Sequence, residues 1–269
     1  MIFEPFRKLF SAGSRKAPPP SVPAGERYYV IGDIHGRLDL LRELAAAIED
    51  HDARSDAAQT TIVFLGDLVD RGPESAGVIR FAREWQQRRK VRLLAGNHEE
   101  MFLESFDDKE VLRHFLKHGG RETILSYGMK RKEFNDLSVK QLFKRLPDIV
   151  PQADRDFLGG FEEMIVAGDY VFVHAGINPA IPLAEQKRRD MLWIRDRFLR
   201  ENGPFEKIVV HGHTIFEEVA DKGHRIGIDT GAFRTGVLTA LILDGEQRDY
   251  IQAVEDNGAI RIAQGVEYA

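Results

Sequence analysis

The chain of 269 residues contains no cysteine. It can therefore form no disulfide, offer no thiolate nucleophile and build no sulfur-ligated metal site, so any transition metal must be held by His, Asp, Glu or Asn. Also missing is any apolar run near the ~20 residues that a membrane-spanning helix needs. The N-terminus has neither the long apolar core nor the small-residue cleavage site of a secretory signal, so a cytoplasmic protein without membrane insertion is expected. There is no basic excess either. The net charge is -5, which is not the profile of a general nucleic-acid binder. What is present, 43% apolar and 30% charged residues, is ordinary for a globular protein. The length suits one large α/β domain with a sizeable core.

Residues 1–25 read differently from the rest. "MIFEPFRKLF" is short and amphipathic, and "SAGSRKAPPPSVPAG" is a Pro, Ser and Gly tract that resists regular structure. They are expected to form a flexible arm to which no function is assigned. Residues 26–269 are read as one domain. "YYVIGD", "TTIVFLGD" and "VRLLAGN" are buried-strand runs separated by the helical patterns "LDLLRELAAAIED" and "ESAGVIRFAREWQQ". Continuous apolar strands alternating with amphipathic helices predict a sheet covered on both faces. Residues of about 99–161 turn mostly helical and read as an insertion. "RRDMLWIRDRFLRE" then reads as one helix, and the later strand-like segments are expected to form a largely antiparallel sheet packed against the first half.

Five polar stretches sit at strand ends: "GDIHG" from Gly32, "GDLVDRG" from Gly66, "GNHE" from Gly96, "HAG" from His174 and "HGHT" from His211. Singly, each is only the Asp, Asn and Gly of a turn. Together they place carboxylates, imidazoles and a carboxamide beyond the carboxyl ends of several strands, where ligands gather in open α/β sheets. This is a sulfur-free donor set suited to two metal ions.

In this order, GDIHG, GDLVDRG, GNHE, HAG and GHT closely resemble the metallophosphoesterases of the PPP-type serine/threonine protein phosphatases, in their short bacterial and phage branch. "LWIRDR" (Leu192 to Arg197) and "IDTGA" (Ile228 to Ala232) extend the resemblance, which covers roughly Tyr28 to Leu243. It implies the calcineurin-like fold, an α/β (α+β) architecture with a two-sheet, sandwich-like core of mixed sheets flanked by helices. It further implies one metal held by Asp33, His35 and Asp67 and a second by Asp67, Asn97, His174 and His213, with Asp67 bridging. Mn²⁺ is the activating ion expected by analogy, and Fe or Zn²⁺ also suits these ligands. A water shared by the ions would attack phosphorus directly. Arg71 and Arg195 would clamp phosphate oxygens. His98, oriented by Asp70, would protonate the leaving alkoxide.

The activity so implied is hydrolysis of phosphoserine or phosphothreonine in proteins, or of small phosphoesters. Symmetrical diadenosine tetraphosphate hydrolysis is the near alternative, and a non-catalytic, metal-stabilised binding module is the alternative of another class. Many metallophosphoesterases carry GHxH, but here Ile215 holds the last place. His213 is then the ligand, and His211 a neighbour at the rim or hydrogen-bonded behind the site. His51, His114, His118 and His224 lie outside the motifs and read as surface or helix-packing residues.

Overall fold

A computed structural model describes residues 18–265. Residues 1–17 of the expected arm lie outside the described residues. Pro18 to Gly25 form no helix or strand, yet they are attached to the domain. Val22 is buried, its N–H donates to the Gly245 carbonyl (3.1 Å), and the Ser21 N–H donates to Asp169 (2.9 Å). The packed structure thus begins before the expected boundary at residue 26, because an apolar residue inside the tract finds a core to enter.

The strands are β1 (Glu26–Ile31), β2 (Gln59–Phe64), β3 (Val91–Leu93), β4 (Ile165–Ala167), β5 (Tyr170–Phe172), β6 (Ile208–His211), β7 (Ala220–Asp221), β8 (Arg225–Gly227), β9 (Val237–Asp244), β10 (Gln247–Asp256) and β11 (Ala259–Gln264). Helices α1 (Leu38–Arg54) and α2 (Ser75–Gln86) follow the first two strands. The insertion holds α3 (Asn97–Glu104), α4 (Lys109–Phe115), a π-turn (Leu116–Gly120), α5 (Arg121–Ser126), α6 (Arg131–Asp136), α7 (Val139–Ile149) and α8 (Gln152–Gly159). Later come α9 (Arg188–Trp193), α10 (Asp196–Leu199) and α11 (Ala232–Thr235).

Two sheets result, ordered β11-β10-β9-β1-β2-β3 and β4-β5-β6-β8-β7. Strands β1, β2 and β3 are parallel, as are β5, β6 and β8, so several strands of each sheet run together in one direction. The expected separate antiparallel C-terminal sheet does not form. Strands β9, β10 and β11 are antiparallel, but β9 pairs with β1 and so extends the first sheet, while the second sheet is mixed. Pairing partners far apart in sequence leave no mark on local pattern, which records only that these segments are strands.

Side-chain alternation sorts the core into layers. From β1 and β2, Tyr29, Ile31, Ile62 and Phe64 pack with α1, α2 and the insertion, whereas Tyr28, Val30, Val63 and Leu65 face the other sheet and meet Tyr170, Phe172 and Val210. On the far side of the second sheet, Val171, Val173 and Val209 pack against Leu192 and Phe198. With both faces of both sheets engaged, the strand ends at one edge are left to carry the polar turns.

Candidate metal centre

The first two polar turns are zipped together through their backbones. The Ile34 and His35 N–H groups donate to the Asp67 carbonyl (3.1 and 2.8 Å), and the Gly72 N–H donates to the His35 carbonyl (3.0 Å). A Cβ on Gly72 would stand 2.2 Å from that carbonyl oxygen, so no other residue permits the approach. His35 (φ 47°), Asp67 (51°), Asp70 (75°), Arg71 (69°) and His213 (63°) all lie in the left-handed region, and Asn257 alone among other described non-glycine residues shares it. Each costs on the order of 1–2 kcal/mol, and such strain persists where surrounding structure imposes it, commonly at functional sites.

Asp67 occupies the middle of the arrangement. Its Oδ2 is 3.5 Å from His35 Nε2 and 3.9 Å from His98 Nε2, and its Oδ1 is 3.4 Å from His174 Nε2. Two donor groups converge, His35 with Asp67 and His98, and Asp67 with His174 and His213, each with its donor atoms within 4.8 Å of one another. Asn97 Oδ1 lies 3.0 Å from His174 Nε2. Buried Asp33 receives the His213 N–H on its two oxygens (3.0 and 3.2 Å). A Cβ on Gly212 would sit 2.0 Å from Asp33 Oδ1, so glycine is required before His213 as well.

The imidazoles are arranged as neutral donors. His35 Nδ1 is hydrogen-bonded to the Val69 carbonyl and His174 Nδ1 to the Leu65 carbonyl, both at 2.8 Å, which puts the ring proton on Nδ1 and leaves each Nε2 lone pair facing Asp67. Burial holds the pKa of His35 and His174 below the ordinary histidine value and pushes His213 down to about 2. His213 Nε2 is buried with no hydrogen-bond partner. Burial opposes ionisation of Asp67, but the positive charge that His174, His98, His35 and His213 carry when protonated outweighs it and holds the carboxyl below its usual range. Neutral imidazoles whose Nε2 atoms converge on Asp67, an ionised central carboxylate and an uncharged amide oxygen could hold divalent cations.

Around this set stand the residues expected to act on substrate. His98 Nδ1 is 2.5 Å from Asp70 Oδ2. Asp70 is fixed in turn: its Oδ1 accepts from Thr123 (2.6 Å), and its N–H donates to the hydroxyls of Thr123 (2.8 Å) and Ser75 (3.0 Å). Burial disfavours the His98 imidazolium, but Asp67 and Asp70 prevail and raise its pKa. Arg71 places Nη1 2.6 Å from His35 Nε2 and Nη2 2.9 Å from His98 Nε2. Arg195 interrupts the segment expected as one helix. It sits between α9 and α10 at φ -134°, ψ -107°, and its Nη1 reaches the His213 carbonyl and Thr214 Oγ1, both at 3.4 Å.

Two carboxyls matter that carried no assigned role. Glu99 accepts four backbone N–H groups, from Leu68 (2.7 Å), Asp67 (2.8 Å), Gly96 (2.9 Å) and Val69 (3.3 Å), and so shapes the turn that presents Asp67. Burial and nearby Asp67 push its pKa up to about 7. Asp229, within "IDTGA", lies beside Asp33; burial, with Asp67 adding to it, raises its pKa to about 6. The quoted motifs contain both residues, but a role in holding backbone has no signature of its own in one sequence.

His211 is not at the rim. It is fully buried, bonds through Nδ1 to the Gly212 carbonyl (3.1 Å), and packs edge-on against Phe198 and Phe216 on the side of the second sheet away from the first. His51 is bonded to the Tyr29 hydroxyl (2.7 Å) and His224 to the Glu201 carbonyl (3.1 Å), whereas His114 and His118 meet on the exposed face of the insertion with tilted rings whose centroids are 4.0 Å apart.

Comparison with known proteins agrees with this architecture. The family model for the calcineurin-like phosphoesterase matches residues 26–230. The chain is 30% identical over 217 residues to serine/threonine-protein phosphatase 1 of Salmonella typhimurium, covering 78% of this chain and 89% of that one. It is also 30% identical over 241 residues to the bis(5'-nucleosyl)-tetraphosphatase PrpE (asymmetrical) of Bacillus velezensis, covering 79% and 87%. The 1.1 Å structure of a cold-active protein tyrosine phosphatase superposes with a TM-score of 0.56 at 18% identity, over 90% of this chain and 81% of that one, and shares its fold. The match over most of the chain, together with the convergence of all five turns, establishes that the protein belongs to the calcineurin-like phosphoesterase family.

Proposed function

We propose that the protein is a dinuclear-metal-dependent phosphoprotein phosphatase that hydrolyses phosphoserine and phosphothreonine. Asp33, His35 and Asp67 would hold one divalent cation and Asp67, Asn97, His174 and His213 the other, with Mn²⁺ the expected activating ion. When bound, the two cations polarise the phosphoryl oxygens and lower the pKa of water, which supplies the nucleophile. Asn97 contributes an oxygen without adding charge where a phosphate dianion must enter. Arg71 and Arg195 bind phosphoryl oxygens through paired N–H groups and offset charge that grows in the transition state. Asp70 holds His98 by Nδ1, so Nε2 presents the proton to the departing oxygen.

The observation that carries the reading is the short His98–Asp70 contact beside the metal ligands. A serine or threonine alkoxide is a poor leaving group that needs a proton, whereas a nucleotide leaves on an already acidic phosphate. A proton donor built this firmly supports an alkyl phosphoester. The second reading, hydrolysis of a dinucleoside tetraphosphate, draws support from a relative so named at the same identity. The deciding test is a side-by-side assay with Mn²⁺. The phosphopeptide should exceed diadenosine tetraphosphate by at least ~10-fold in kcat/KM, and the reverse order would replace the first reading by the second. A protein that binds metal yet hydrolyses neither these nor a chromogenic aryl phosphate with any divalent ion would be a binding module.

A further inference from the structure

Arg71 has no carboxylate partner among the described residues; its guanidinium is held by His35 Nε2, His98 Nε2 and the face of Phe233, whose ring centre lies 4.6 Å from Cζ. On the proposed function, on which this inference rests, the first two contacts are withdrawn in the working enzyme. His35 Nε2 would give its lone pair to a bound cation, and His98 Nε2 would carry the proton it donates. Phe233 is the one of the three contacts that needs neither lone pair. We propose that Phe233 is the positioning residue for Arg71, a π surface that keeps the guanidinium aimed at the phosphoryl oxygens once both imidazole acceptors are occupied.

The surroundings of Phe233 suit that task. Its ring also meets His35 edge-on, with centroids 5.3 Å apart, so it bridges the arginine and a ligand of the first donor group. It rides on α11, a single turn bounded by left-handed Gly231 (φ 75°) and Gly236 (φ 73°). Thr235 Oγ1 ties the turn to the Thr230 and Gly231 carbonyls (2.6 and 3.0 Å). Arg37 secures it from outside. Its Nη1 donates to the Ala232 carbonyl (2.9 Å), while the rest of the guanidinium is paired with Asp39 on α1 and Glu255 on β10. A short turn braced through Arg37 from α1 and β10 presents one aromatic face to a cation without a carboxylate partner. Arg71 has its backbone fixed by a bond from its N–H to the Gly119 carbonyl (3.2 Å), and its long side chain has several rotatable bonds for Phe233 to restrain.

The test uses Mn²⁺-loaded full-length protein, an aryl phosphate as substrate and calorimetric binding of inorganic phosphate, neither of which depends on whether the natural substrate is protein or dinucleotide. Phe233→Ala should raise KM and the phosphate dissociation constant together by about three- to ten-fold and lower kcat in the same direction as Arg71→Ala but by less, with metal content unchanged. Phe233→Tyr should restore both, and Phe233→Leu, apolar but without a π face, should not. In an Arg71→Ala background, Phe233→Ala should add nothing. Wild-type behaviour of Phe233→Leu, or full additivity with Arg71→Ala, overturns the proposal. If Arg71→Ala itself leaves phosphate binding unchanged, the arginine clamp is wrong and the positioning role falls with it, whereas normal loss in Arg71→Ala with none in Phe233→Ala rejects the positioning role alone.

Discussion

His98 and Asp70 form the pair whose loss should cost most for the least structural change. His98→Asn is expected to lower kcat by about 10²–10⁴ on a phosphopeptide and by much less on the aryl phosphate, whose phenolate leaves more readily, with metal content intact. The pH profile carries a sign. Asp67 and Asp70 raise the His98 pKa against the effect of burial, so the proton donor persists to higher pH than an ordinary histidine would allow, and activity falls as pH rises through the raised value. Asp70→Asn removes one of those contributions and should move the alkaline limb to lower pH; an unmoved limb would mean that another group sets it. The two histidines flanking Gly212 should separate cleanly. His211→Ala deletes a ring packed between Phe198 and Phe216 and should cost on the order of 2 kcal/mol in denaturant unfolding while retaining metal. His213→Ala should lose metal with little cost to the metal-free fold, and equal metal loss in both variants would contradict the division.

The elements show why part of this was readable in the sequence and part was not. Each of β1, β2, β3, β5 and β6 ends in a motif quoted above, since a buried strand announces itself by composition and a glycine-bounded polar turn by contrast. The break at Arg195 gave no warning. Apolar spacing runs through "RRDMLWIRDRFLRE", but Ile194 turns extended (φ -63°, ψ 144°) and Arg195 leaves helical geometry, which turns a side chain that would face solvent toward Thr214. Likewise, Thr123 of α5 supports Asp70 across 53 residues, a contact that belongs to tertiary packing and to no local pattern. The tight turns themselves are open to test. Gly212→Ala places a methyl group 2.0 Å from Asp33 Oδ1 and should reduce metal content and activity together by at least ~10-fold, while far-ultraviolet circular dichroism stays native. Normal metal content would show that the turn can yield.

At the scale of the molecule, the donors are divided between the sheets. Asp33, His35, Asp67 and Asn97 follow strands of the first, and His174 and His213 follow strands of the second. The layer between them is apolar, built from residues such as Val30, Val63, Phe172 and Val210. Metal bound at the shared edge should therefore stabilise the whole fold by linkage, about 2.7 kcal/mol at a free concentration 100 times the dissociation constant. Mn²⁺ should raise the thermal midpoint and chelation lower it, with the response flattened in Asp67→Asn; an unchanged midpoint in the wild type would show that the centre contributes nothing to holding the sheets. A chain without cysteine has no covalent tie between distant segments, and a carboxylate reached from both sheets can take that place reversibly. Hydrogen exchange would read the tie directly. With metal, amides of β2 and β6 should open only together, in one slow event, whereas after chelation the second sheet should exchange ahead of the first, as two units no longer fastened at their shared edge.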